Sequence, residues 1–123
     1  MTTGSRPFFV DTAYLNALVN ERDQWHGAAI RWQRRLAVTR HPLVTTEFIL
    51  VEFAAGLAAV RFRGRPSRSI AMLCSSPSLE IIPASTTLFD DALDVFQRRS
   101  DKDWGMTDCT SFIVMGERRI DAA

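Results

Sequence analysis

The chain has 123 residues, of which 46% are hydrophobic and 24% are charged, with a formal net charge of +1. These values fit one globular domain with its own core and exclude a disordered tail. A net charge so near zero provides no global field that would by itself indicate a nucleic-acid partner.

The N-terminus and the apolar segments indicate where the protein resides. Residues 1–7 lack the long apolar core of a signal peptide and are predicted to be a flexible lead-in. The longest apolar run, Phe48–Val60, is shorter than the roughly 20 residues of a membrane span. The cysteines Cys74 and Cys109 have no metal-type spacing. We therefore predict a soluble, cytoplasmic protein that does not enter a membrane.

The first element is a short apolar run, Phe8–Val10, which is typical of a buried parallel strand. Asp11 follows it directly, at the end of the strand where open α/β sheets bind their ligands. Alternatively, Asp11 caps the helix predicted over 13–22, and the two roles are compatible.

A second helix is predicted over 23–38. Trp25, Ala28, Ala29, Trp32 and Leu36 recur there at steps of three and four residues. Such a stripe of tryptophans predicts packing in the core rather than a platform for stacking bases.

The stretch Val44–Leu57 combines a helix start with an apolar run. Thr45 or Thr46 is a natural N-cap, because a threonine hydroxyl accepts a hydrogen bond from the first turn. Glu52 lies in the middle of the run, so we predict a buried helix that carries this acid inward. An unpaired buried carboxylate is costly and usually gains a partner or a metal. The alternative is that Glu52 reaches solvent or meets an arginine.

The remaining elements alternate in type. Strands are predicted at 43–44 and 79–82, and helices at about 45–62, 67–75, 85–99 and from Thr107 onward. Strands that alternate with helices indicate a parallel α/β sheet wrapped by helices.

Four arginines form the densest positive segment of the chain. On the segment alone they favour a solvated helix end, because local charge runs are usually solvated, and the alternative is contact with a phosphate backbone. The four are Arg61, Arg63, Arg65 and Arg68.

Three acids share one kind of setting: Asp11 after a strand, Glu52 within an apolar helix, and Asp108 at the start of another helix. Hard divalent cations such as Mg²⁺ take oxygen ligands, and carboxylates from distant segments commonly supply them. Spacing along the chain does not decide whether these three acids meet.

Several blocks resemble the PIN-domain ribonucleases, in particular the VapC-type toxins of bacterial toxin–antitoxin pairs. The resemblance runs from about Phe8 to the end of the chain, with the blocks in the order of that family. The blocks are FFVDT with LNALVN, DQWHGAA, TTEFILVE and DWGMTDCTSFIVM. The resemblance implies a PIN-like α/β/α sandwich with a short central parallel sheet surrounded by helices.

The resemblance also implies chemistry. Asp11, Glu52 and Asp108 would be the catalytic acids that bind Mg²⁺ or Mn²⁺. Thr12 and Thr107 would orient these ligands or a water, with Asp103 as an outer contributor. The implied activity is that of a metal-dependent endoribonuclease, the toxin of a pair with an antitoxin, acting as a homodimer. The arginines of the 61–68 segment would hold the RNA.

One departure from the family concerns the end of the chain. The family usually has a further acid in a last strand after the third acid, whereas Asp121 comes too early to replace it. Either the chain is a shortened form, so that residues 8–123 are a single PIN-like domain truncated at its C-terminal end, or the protein lacks that strand. The alternative functions are a non-catalytic PIN-like module that binds RNA or protein, and a small α/β protein whose acids are structural.

Overall fold

The central sheet has three short parallel strands. In the computed structural model, which describes residues 6–57 and 64–121 (with 64–66 as backbone only), they are β1 (Phe8–Phe9), β2 (Leu43–Thr46) and β3 (Leu79–Ile82). Their order in the sheet is β1-β2-β3, with Phe8 opposite Leu43 and Leu43 opposite Leu79. The predicted parallel sheet is confirmed.

Six helices surround this sheet in the described part of the chain. They are α1 (Thr12–Val19), α2 (His26–Thr39), α3 (Glu47–Gly56), α4 (Gly64–Cys74), α5 (Thr86–Arg98) and α6 (Met106–Arg118). The architecture is the predicted PIN-like α/β/α arrangement. No helix within residues 6–57 and 64–121 is both long and apolar enough to cross a membrane.

Some helix limits differ from those predicted. α2 begins at His26 rather than Asp23, because Asp23 accepts a hydrogen bond from the Trp25 amide in a turn. α4 begins at Gly64 rather than Ser67. Pro66 is tolerated in its first turn because the amides there have no partner within the helix. The expected continuation of α3 to Phe62 falls largely on residues 58–63, outside the described residues.

The core lies between the sheet and the helices that follow its strands. It draws on β1, α1, β2, α3, α5 and α6, and its buried members are Phe9, Val10, Leu15, Val44, Ile49, Leu50, Phe53, Leu88, Val114 and Ile120. Every predicted strand contributes to it or packs against it.

Two predictions of burial are wrong. Glu52 does not point inward: it is exposed, and its neighbour Val51 is 68% exposed. The helix α3 fully buries only the face formed by Ile49, Leu50 and Phe53. Phe48 and Leu57 are partly buried against the core, and the face that carries Val51 and Glu52 is left open to solvent.

The second wrong prediction is that the tryptophans at the start of α2 and within it are packed in the core. Trp25 is 63% exposed and Trp32 is 47% exposed, while only Ala29 and Leu36 of this helix are buried. α2 packs chiefly against α1. A single helical neighbour covers a narrow strip, so the large rings at its border remain open to solvent.

A buried side-chain hydrogen bond joins β2 to the end of β1. The Thr45 hydroxyl, fully buried, donates to the Val10 carbonyl at 2.8 Å, and the Val10 amide donates to the Val44 carbonyl at 2.8 Å. Thr46, the next residue, caps α3 by accepting from the Ile49 amide at 3.1 Å. The paired threonines therefore fix both the exit of β1 and the start of α3.

We expect Thr45→Val to lower the free energy of unfolding by about 1–3 kcal/mol, because it leaves the buried Val10 carbonyl without its donor. Thr45→Ser keeps the hydroxyl and is the matched control, with a smaller loss. Denaturant unfolding of the three proteins measures the difference. Equal stability of the Val variant and the parent would contradict a structural role for this bond.

A bidentate ion pair attaches α6 to the edge strand β3. The two terminal guanidinium nitrogens of Arg118, Nη1 and Nη2, each donate to one oxygen of the Glu80 carboxylate at 2.7 Å. The hydrogen bond from Arg118 lowers the pKa of Glu80 from its ordinary value. Because the pKa is lower in the folded protein, the pair stabilises the fold above the unfolded pKa of glutamate. That stability is lost as the pH falls through the lowered value.

We expect Glu80→Gln to cost about 0.5 kcal/mol at pH 7, since both groups are largely exposed and screened by solvent. The gap between variant and parent should close as the pH falls into the acid range. Thermal melts between pH 7 and pH 3 test this. Asp91→Asn, an exposed acid on α5 outside any ion pair among the described residues, is the control. A gap that stayed constant with pH would refute the electrostatic origin.

Candidate active site at the carboxyl edge of the sheet

Asp11 lies where β1 passes into α1. Its carboxylate accepts a hydrogen bond from the Tyr14 amide at 2.9 Å, so Asp11 is the N-cap of α1. The side chain is half-buried. Asp11 thus has the capping role that the sequence left open, at the strand end that also suits ligand binding.

Glu52 is connected to this strand end through Thr12. The Thr12 hydroxyl donates to one Glu52 carboxylate oxygen at 2.6 Å, across the contact of α1 with α3. Because Thr12 follows Asp11 directly, the bond brings Glu52 to the segment that carries Asp11. Two acids 41 positions apart in sequence are therefore gathered at one edge of the sheet.

Asp108 occupies the first turn of α6. Its carboxylate accepts from the Gly105 amide at 2.9 Å, which closes the N-terminus of this helix, and the side chain is exposed. The Thr107 carbonyl accepts from the Thr110 and Ser111 hydroxyls at 2.6 and 3.1 Å. The carboxylate charge favours the helix N-terminus.

The buried Cys109 thiol stands next to Asp108. Burial, and then the negative charge of Asp108, raise the pKa of Cys109 above its ordinary value. The thiol therefore stays protonated at neutral pH and is poorly suited to act as a nucleophile. Asp103 lies in the loop before α6 and is exposed.

Convergence of the three acids on one ion would require their carboxylates to lie close together. Within residues 6–57 and 64–121, no three carboxylate, imidazole or thiol side chains come close enough together to hold a metal. Each acid uses one carboxylate oxygen for a protein hydrogen bond, and among the described residues the other oxygen makes none. The donor chemistry suits Mg²⁺ or Mn²⁺, which often bind one or two carboxylates and several waters.

The predicted RNA-binding arginines are only partly described. Arg61 and Arg63 lie outside the described residues, as does the side chain of Arg65. Arg68 lies on α4 and is exposed. Its role in binding RNA stays a prediction.

Two features of the site were not foreseen. Glu47 tethers the start of α3 to the segment after β3, because its carboxylate accepts from the Ala84 amide at 2.7 Å. The direct bond from Thr12 to Glu52 links positions far apart in sequence. The sequence contains one hint of these two hydrogen bonds, which is the acid or threonine that stands where a predicted strand passes into a helix.

The chain is similar in sequence to a known endonuclease. The 23S rRNA-specific endonuclease VapC20 of Mycobacterium tuberculosis, in strains CDC 1551 / Oshkosh and ATCC 25618 / H37Rv, is 28% identical over 115 residues. These residues are 94% of this chain and 85% of the relative. No protein-family model matches the chain.

The fold of this chain is also similar to the fold of that relative. The crystal structure of M. tuberculosis VapC20, described as a sarcin-ricin loop cleaving toxin, superimposes with a TM-score of 0.77 and 25% sequence identity. The match covers 92% of this chain and 84% of that one. The likeness therefore extends over nearly the whole described architecture.

Proposed function

We propose that this chain, which belongs to the VapC-type PIN-domain proteins by its sequence and fold, is an endoribonuclease and the toxin of a toxin–antitoxin pair. The observation that carries the proposal is the likeness to VapC20 in both sequence and structure along nearly the whole chain. Ribosomal RNA, the substrate named for that relative, is the first substrate to test. An antitoxin partner, a homodimer and a cytoplasmic location complete the proposal.

The proposed reaction is hydrolysis of an RNA phosphodiester by water. Asp11, Glu52 and Asp108 would hold Mg²⁺ or Mn²⁺ through their carboxylate oxygens. When bound, the cation supplies positive charge to the phosphate oxygens and lowers the pKa of a coordinated water.

Two backbone amides and one side-chain hydroxyl of the protein orient the three acids. The Tyr14 amide holds Asp11, the Thr12 hydroxyl holds Glu52, and the Gly105 amide holds Asp108, so each acid keeps one oxygen for ligand or water. Carboxylates held in this way lose little conformational entropy when they bind. The contribution of Thr107 and Asp103 would be to orient water near Asp108.

A second candidate is a non-catalytic PIN-like module that binds RNA or protein. The observation that favours it is the lack of a three-ligand group among the described residues. Titration of Mn²⁺, followed by electron paramagnetic resonance, separates the two. RNA binding without Mn²⁺ binding would support the module, whereas saturable Mn²⁺ binding would support the nuclease.

Asp11→Asn and Asp108→Asn should each reduce RNA cleavage by at least about 100-fold, because each removes a negative ligand oxygen from the proposed site. Asparagine also caps helices, so Asp11→Asn should leave the fold intact. Cleavage of ribosomal RNA in the presence of Mg²⁺ or Mn²⁺ provides the measurement.

The matched control is Asp90→Asn, which neutralises an exposed acid on α5 that is not one of the three acids of the proposed site. It should cleave at the rate of the parent. Full activity of either the Asp11 or the Asp108 variant would refute the assignment of that acid. Circular dichroism establishes that each variant remains folded.

A further inference from the structure

An exposed face of α2 carries two arginines around a tryptophan. A shallow cavity of about 200 Å³ lies on this face. It is lined by four residues at helical spacing, Ala28, Arg31, Trp32 and Arg35. We call these four residues the α2 patch. It lies outside the acidic site and is assembled from one helix, so its geometry depends little on distant segments.

Trp32 anchors the α2 patch to the sheet. Its ring stacks on Phe8 of β1 with centroids 6.1 Å apart and an angle of 29° between the planes. The Arg35 guanidinium carbon lies 5.3 Å from the centroid of the Trp32 ring. The indole is therefore held in place by the sheet and in turn holds the Arg35 guanidinium by a cation–π contact.

The charges of the α2 patch are not neutralised by the described protein. Arg31 and Arg35 are exposed, and no carboxylate of the described residues lies within 4.0 Å of either guanidinium. Like charges one turn apart on a helix repel each other and cost a few tenths of a kcal/mol. An anion bound between the two guanidinium groups would relieve that repulsion and fill the cavity.

We propose that the α2 patch binds a backbone phosphate of the RNA, at a subsite separate from the acids. The proposal rests on the proposed ribonuclease function. Guanidinium groups match the geometry of phosphate oxygens, and an exposed aromatic edge beside them suits the attached sugar or base.

The position of the α2 patch fits an extended substrate. Phe8, against which Trp32 stacks, precedes Asp11 by three residues, which is about 10 Å along an extended chain. The α2 patch lies beyond Phe8 as seen from Asp11, so a single RNA strand would need several nucleotides to connect it with the acidic site. The α2 patch would then add affinity without taking part in hydrolysis.

The test uses the cleavage-defective Asp11→Asn protein and a fluorescein-labelled single-stranded hexaribonucleotide. Fluorescence anisotropy measures the affinity at several salt concentrations. Arg31→Gln and Arg35→Gln should each weaken binding about fivefold and flatten the salt dependence by about 0.7 in slope, the value for one lost phosphate contact on a single strand. Trp32→Ala should weaken binding to a similar extent, and Trp32→Phe should restore most of it.

The matched control is Arg34→Gln. Arg34 is an exposed arginine of the same helix that does not line the cavity, so its loss changes the net charge equally. Its affinity should stay within twofold of the parent. An equal loss for Arg34→Gln and Arg31→Gln would overturn the subsite, because a general electrostatic field would then explain binding.

The outcomes also separate the subsite from the proposed function. If the protein with Asp11 intact cleaves RNA and the variants of the α2 patch bind RNA as tightly as their parent, the subsite is overturned while the ribonuclease assignment stands. If the intact protein neither cleaves nor binds RNA, both proposals fail. Thermal melts of each variant distinguish lost contacts from lost folding.

Discussion

The hydrogen bond from the buried Thr45 hydroxyl to the Val10 carbonyl is the constraint on which the site depends. This bond lies at the end of β1 and at the end of β2, directly before α3 begins. A buried carbonyl needs a donor, and this carbonyl finds one in the neighbouring strand rather than in its own helix. The exit of β1 is thereby held against the entrance of α3.

Two acids owe their positions to this junction. Asp11 follows Val10 by one residue and turns the chain into α1, while Glu52 lies in the second turn of α3, which Thr46 caps. The bond from Thr12 to Glu52 completes the connection at the surface. A site assembled from two adjacent strand ends needs only short, rigid links, which is the reason that parallel α/β sheets bind ligands at this edge.

The sequence predicted the parallel sheet, and the capping position of Asp11 at its edge, for a local reason. Apolar runs of two or three residues that end in Asp or Thr mark strands passing directly into capped helices, and both signals lie within a few residues of each other. The predicted burial of Glu52 and Trp32 was wrong, because the burial of a side chain depends on which helix faces the neighbouring helices cover. α3 and α2 each have more apolar surface than their neighbours can cover, and periodicity within one helix does not reveal this.

The gathering of acids at the carboxyl edge of the sheet can be measured most directly with a paramagnetic ion. We expect Mn²⁺, added in small amounts to the ¹⁵N-labelled protein, to broaden the amide resonances of Asp11, Thr12 and Glu52 first, and that of Asp108 with them. Broadening centred on other residues, with these four amides unaffected, would contradict a common cation site at this edge.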